Sequence, residues 1–148
     1  MPSESYRLNA ESWLGRRAAV LKLAADASPQ SIAIIIGILR DDPEEKVRQA
    51  AAKVLGNHPG VETTAALLEV LHDADWGVRR QAARSLAQSD DPAILQALIA
   101  VLGDEDIYGS VSDVLVERPA ELVFDAAFEA YSQAVNREAE PAQDHTNQ

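Results

Sequence analysis

Three histidines, one acidic run and one serine among small residues are the groups in this 148-residue chain whose types invite a chemical reading. His58 sits in Asn57-His58-Pro59-Gly60, His72 closes Val70-Leu71-His72, and His145 lies near the C-terminus. None has a second histidine or a carboxylate at metal-ligand spacing on the same helix, and the pattern His-Glu-x-x-His is absent. His72 is better placed to meet a helix C-terminus, where a protonated imidazole gains about 0.3–1 kcal/mol. Ser110, in Gly109-Ser110-Val111-Ser112, lacks the strand and flanking glycine of a nucleophile elbow. Asp104-Glu105-Asp106 could attract a cation, but without EF-hand spacing it reads as a solvated turn and helix cap. With no cysteine, the chain has no disulfide framework, thiolate zinc site or cysteine nucleophile. No glycine-rich phosphate loop occurs either. The expectation is a non-catalytic protein with no cofactor and no metal.

Charge is more informative than chemistry. The net charge of −11 is unevenly spread: residues 1–84 hold 11 basic and 11 acidic side chains, whereas residues 85–148 hold 13 acids against Arg118 and Arg137. An acidic surface keeps a protein soluble and repels nucleic acid and anionic lipid unless a local basic face intervenes. There is no apolar run of about 18 residues, and Met1-Pro2-Ser3-Glu4 lacks the basic and apolar regions of a signal peptide. A cytoplasmic location away from membranes fits these features.

The elements that would position any site emerge from an internal repeat. Ile38-Leu39-Arg40-Asp41-Asp42-Pro43-Glu44-Glu45-Lys46-Val47-Arg48-Gln49-Ala50-Ala51-Ala52-Lys53-Val54-Leu55 returns as Val70-Leu71-His72-Asp73-Ala74-Asp75-Trp76-Gly77-Val78-Arg79-Arg80-Gln81-Ala82-Ala83-Arg84-Ser85-Leu86. Leu39 aligns with Leu71, Asp41 with Asp73, Val47-Arg48 with Val78-Arg79, Ala51 with Ala82 and Leu55 with Leu86. The offset is 32 residues before the turn and 31 after it. A third copy opens with Val101-Leu102-Gly103-Asp104. An earlier one, Trp13-Leu14-Gly15-Arg16-Arg17-Ala18-Ala19, lies two repeats before Trp76.

Within each copy the apolar spacing is helical: Ile32, Ile35, Ile36 and Leu39, then Thr64, Leu67, Leu68 and Leu71, then Leu95, Leu98, Ile99 and Leu102. Second helices repeat it with Val47, Ala51, Val54 and Leu55 and with Val78, Ala82, Ser85 and Leu86, the alanines allowing close approach. Ser28-Pro29, Asp42-Pro43 and Asp91-Pro92 each place a capping side chain before a proline suited to the first helical position. About eight helices are predicted, near 10–25, 29–40, 43–56, 61–72, 76–88, 92–102, 107–117 and 120–135. Residues 1–9 form an N-terminal extension, 10–135 the repeat domain and 136–148 a disordered acidic tail. Phe124, Phe128 and Tyr131 are expected to form the apolar face of the last helix. Asp125 and Glu129 lie beside that face and cap the array, so the chain reads as complete at about four repeats.

Paired helices at this period, with Leu-x-Asp at the turn and Val-Arg-x-x-Ala on the second helix, resemble HEAT repeats. They are similar in particular to the short HEAT-like repeats associated with phycobilisome bilin lyases, over roughly residues 10–135. The resemblance implies an all-α, right-handed α-solenoid of about four HEAT-like helical hairpins. It also implies an internal ladder, with Asp41, Asp73 and Asp104 in the acidic positions and Arg16, Arg48 and Arg79 in the basic ones. Tyr108 stands where the third repeat would carry its arginine, so the ladder should stop there. Lyases of that family use Cys- and His-bearing motifs. A chain without cysteine would serve in bilin or other cofactor attachment, or in phycobilisome turnover, only as a chaperone-like accessory subunit.

Nine of the 13 basic residues fall on the predicted second helices, which line the concave wall of a HEAT stack. Outside the ladder they leave Arg17, Gln49 and Arg80 in one row, and Leu21, Lys53 and Arg84 in the next. Such a groove is basic at its N-terminal end and suits a protein partner carrying an acidic segment. HEAT-like DNA glycosylases also use basic grooves, but the acidic total and the scarcity of aromatics put nucleic acid well behind protein. Trp13 and Trp76 either staple their turns or anchor a partner, and Trp76 beside Arg79 and Arg80 is the stronger anchor candidate. The expected function is a protein-binding scaffold, adaptor or assembly chaperone that docks its partner on Arg17, Gln49, Lys53, Trp76, Arg80 and Arg84, as a monomer or with weak self-association.

Overall fold

The computed structural model describes residues 12–139. Its helices are α1 (Trp13–Asp26), α2 (Pro29–Asp41), α3 (Glu45–Leu55), α4 (Val61–Glu69), α5 (Trp76–Leu86), α6 (Pro92–Ala100), α7 (Glu105–Val116) and α8 (Ala120–Ala139). Among the described residues one 3-10 turn, Val70–His72, tightens the end of α4. Among the described residues there is no strand.

Two of the three proline starts behave as local chemistry dictates. The Ser28 hydroxyl accepts the Ser31 N–H at 3.2 Å and Asp91 accepts the Ala93 N–H at 2.9 Å, with Pro29 and Pro92 in the first turns. Asp42-Pro43 differs. The Asp42 carboxylate accepts the Glu44 N–H at 3.0 Å and turns toward Arg16, so α3 begins at Glu45 rather than at 43. At the other end α8 runs on to Ala139, past the predicted limit of 135, through a stretch in which Arg137, Glu138 and Ala139 are good helix formers. Residues 1–11 and 140–148, which carry most of the expected extension and tail, lie outside the described residues.

The helices form an α-solenoid of two layers. The second helices α1, α3, α5 and α7 lie side by side in one, while in the other α2 packs on α4 and α6 on α8. One hydrophobic core runs between the layers. Val47 and Val78 are fully buried, as are Ala51 and Ala82, and counting on by 29 residues gives Ile107 and Val111, equally buried. The third repeat therefore continues the pattern across a shorter turn, and Tyr108 occupies the arginine position. In the first-helix layer Ile35, Leu39, Leu67, Leu71, Leu95 and Leu98 supply the core. Burial of each such side chain is worth about 1.5–3 kcal/mol. The alanines let α3 and α5 approach so closely that a Cβ on Gly56 would lie 2.6 Å from the Ser85 hydroxyl oxygen. That hydroxyl donates to the Ala52 carbonyl at 2.9 Å, tying the two helices by a buried hydrogen bond.

The last helix faces the other way from the expectation. Leu122, Val123 and Ala126 turn toward the core, whereas Phe124, Phe128 and Tyr131 are exposed. Small side chains permit α8 to lie close on α6, and the rings are left on the opposite side.

Candidate binding groove and arginine ladder

A charged ladder holds the second-helix layer in register. Arg16 grips Asp42 through Nε and Nη2 at 2.7 and 3.0 Å. Arg48 grips Asp73 in the same two-pronged way at 3.0 Å for each contact. Arg79 spreads its contacts, Nε to Asp104 and Nη2 to Asp106, both at 2.7 Å. Each arginine thus reaches from one second helix to the turn that opens the next. Its third nitrogen can also bind its own repeat's turn: Arg48 donates to the Asp42 carbonyl at 2.8 Å and Arg79 to that of Asp73 at 3.0 Å. The aspartates repeat one geometry as well, since Asp42, Asp73 and Asp104 accept the N–H two residues on. The Asp42 and Asp73 carboxylates raise the pKa values of Arg16 and Arg48 above the ordinary arginine value, chiefly through these hydrogen bonds.

Asp41, the residue expected in the first rung, is exposed at the end of α2, and Asp42 takes the role. The turn in this repeat is one residue longer before the aspartate, so Asp42, and not the leucine-aligned Asp41, meets the arginine.

The ladder positions one open face between α1 and α3. Trp13, Arg17, Leu21, Lys46, Gln49, Ala50, Lys53 and Val54 enclose most of a groove of about 510 Å³, with Asn57 and Gln81 completing it. Its wall combines two exposed apolar side chains, Trp13 and Leu21, with three cations and no carboxylate. Of the six residues expected to bind a partner, Arg17, Gln49 and Lys53 meet here. The Gln49 amide also donates to Asp75 at 3.0 Å, and Asp75 in turn caps α5 through the Val78 N–H at 2.9 Å. Gln49 is therefore committed to holding the wall.

The other three do not join them. Trp76 is half-exposed at the start of α5. Arg80 donates to the Ser110 hydroxyl at 3.1 Å and so bridges α5 to α7. Arg84 borders a different hollow of about 580 Å³ near Asp90, Glu117 and Arg118, where Arg118 pairs with Asp90 and donates to the Ala87 carbonyl. Lys46 was outside the predicted row, although its spacing of 0, 4 and 7 with Ala50 and Lys53 marks one helical face.

Among the described residues no group of three or more His, Asp or Glu side chains could hold a metal ion, and Asp104 and Asp106 of the 104–106 run are engaged by Arg79. No helix among them is long and apolar enough to cross a membrane.

Against this geometry, a family model of HEAT repeats matches the chain twice, over residues 5–73 and 36–109. The chain belongs to the HEAT-repeat family. HEAT repeats commonly act as protein-interaction scaffolds, and the fold is typically non-enzymatic. The match is to HEAT repeats as a whole, and the narrower likeness to bilin-lyase repeats is not part of it. A search among curated proteins found no match. In HEAT terms α2–α3 and α4–α5 are successive hairpins, with α1 a second helix before them, and α6, α7 and α8 continue the alternation of first and second helices.

Proposed function

We propose that this HEAT solenoid is a non-catalytic scaffold, acting as adaptor or assembly chaperone, which docks an acidic segment of a partner protein in the groove between α1 and α3. The observation that carries this reading is the union of Trp13 and Leu21 with Arg17, Lys46 and Lys53 in one concave wall free of carboxylates. An aromatic anchor beside unengaged cations is the composition in which binding energy concentrates. Opposite charge adds orientation and association rate. Because the ladder and the Gln49–Asp75 contact fix α1, α3 and α5 against one another, the groove is preformed and little ordering opposes binding.

The test is a tagged pull-down from the native source, read by mass spectrometry, with two double variants. Lys46→Glu with Lys53→Glu should abolish capture of a protein that the wild type retains, while circular dichroism stays helical. Arg80→Glu with Arg84→Glu, outside the groove, should leave capture intact. Capture that survives the first pair and fails with the second would move the site to the α5–α7 face and overturn the groove.

A further inference from the structure

The end helices carry two exposed apolar faces that match each other. On α8, Phe124, Phe128, Tyr131 and Val135 recur at i, i+4, i+7 and i+11, and they are 69%, 61%, 70% and 44% exposed. They lie opposite Leu122 and Ala126, which attach α8 to the core. On α1, Leu14, Ala18, Leu21 and Ala25 follow the same spacing, and all four are exposed. They lie away from Val20 and Leu23, which are buried. This is the spacing by which two helices form a continuous seam. The seam is also complementary in size, because bulky rings on α8 would meet alternating leucine and alanine on α1.

Charge selects the pairing. Glu121 and Asp125 border the aromatic face of α8, and Arg17 and Lys22 border the stripe on α1. Pairing α8 with α8 would set acids against acids in a region holding 13 of them and two arginines. Pairing α1 with α1 would oppose cations.

We infer that copies of this chain associate head to tail, the aromatic face of α8 in one copy docking on the Leu14–Ala25 stripe of α1 in the next. The two surfaces stand at opposite ends of the solenoid, so each docked copy keeps one free end and the assembly is open. Attraction between exposed charges makes it sensitive to salt. The inference does not rest on the groove between α1 and α3. Arg17 and Leu21 border both surfaces, so the test uses residues outside the groove.

Sedimentation of the wild-type chain at low salt should show an average mass that rises with concentration and falls on adding salt. Leu14→Glu with Lys22→Glu spoils the α1 face, and Phe124→Glu with Phe128→Glu spoils the α8 face. Each double variant alone should be monomeric, and an equimolar mixture should form one-to-one dimers and nothing larger. All three changes of state are read beside circular dichroism. Should the phenylalanine variant lose helicity, Glu121→Lys with Asp125→Lys takes its place. A wild-type chain that stays monomeric throughout overturns the inference, as does a mixture that fails to dimerise. Association of the Leu14/Lys22 variant by itself would instead assign an α8–α8 contact. That variant keeps Trp13, Lys46 and Lys53, so capture of an acidic partner persists whichever way association falls.

Discussion

The two ends of the solenoid are built from the same repeat but are held by different means. From α1 to α5 the arginines grip aspartates with two prongs in nearly dry surroundings, the Arg48 and Asp73 side chains being 14% and 12% exposed. Toward α7 the grip loosens: Arg79 divides itself between Asp104, 28% exposed, and Asp106, 53% exposed. Beyond that, Tyr108 leaves the repeat without an arginine. The N-terminal half balances its charges and keeps a basic groove, while the C-terminal half carries the acidic excess and an aromatic face. The difference shows how a repeat can conserve its core period while its surface changes character. Val47, Val78 and Ile107 are all fully buried, yet the residues that follow them are Arg48, Arg79 and Tyr108.

The largest effect should come from breaking the tight rung and comparing it with the loose one. Arg48→Ala removes the charged partner of the Asp73 carboxylate, leaving it only the Asp75 N–H, and strands the Asp42 carbonyl. Removing one partner of a buried pair costs about 3–5 kcal/mol, and the slight exposure here brings the expectation to about 2–4 kcal/mol. Arg79→Ala should cost about 1 kcal/mol, because water can replace it at the more exposed Asp104 and Asp106. Urea unfolding of the two variants measures the difference. Equal losses would mean that the ladder is energetically uniform and that the contrast between the ends is only one of composition.

Much of this was legible in the sequence, and the misreadings have physical causes. The core positions follow from the 31–32-residue period because only one face of each helix can be buried against its neighbours. Asp41 and Asp42 both satisfy a leucine-to-aspartate pattern within a turn whose length changes by one residue, so the aligned pattern points to Asp41 where the structure uses Asp42. The last helix departs from its hydrophobic pattern for a different reason. Hydrophobicity favoured Phe124, Phe128 and Tyr131, but close packing on α6 favoured the small Ala126, and density of contact prevailed over area. In the linear pattern Arg80 shares a row with Arg17 and Gln49, and Arg84 shares the next with Leu21 and Lys53. The structure separates them because Arg80 is drawn to Ser110 and Arg84 faces the Arg118 hollow.

Acid should probe the N-terminal part of this contrast. Burial pushes the Asp75 pKa up, but hydrogen bonds from Gln49 and from the Val78 and Gly77 N–H groups, with the nearby Arg48 charge, outweigh it and leave it below the ordinary aspartate value. The unfolded chain therefore binds this proton at higher pH than the folded one. Asp75 contributes stability above its unfolded value of about 3.9, and loses it as pH falls through the depressed folded value. Asp75→Asn should be less stable than the wild type at pH 6, with the gap narrowing below about pH 4. A gap that stayed constant on acidification would show that Asp75 acts only as a neutral cap.

The smallest expected effect is a gain, and it lies at the other end of α1. Ala27 adopts φ 51° and ψ 18°, the left-handed conformation, while its N–H closes the helix on the Leu23 carbonyl at 3.1 Å. A Cβ there crowds the following carbonyl at a cost of roughly 1–2 kcal/mol, which glycine avoids. Glycine also has more freedom to lose on folding, so Ala27→Gly should stabilise by only about 0.5–1 kcal/mol. The contrast with Gly56 explains why a glycine rule alone misleads here. Gly56 ends α3 in ordinary right-handed geometry, at φ −59°, and is required instead by the nearness of Ser85. A thermal midpoint raised in Ala27→Gly would confirm that α1 ends under strain that its ladder contact with Asp42 overcomes. An unchanged or lowered midpoint would mean that the turn from α1 into α2 relaxes around alanine at no cost.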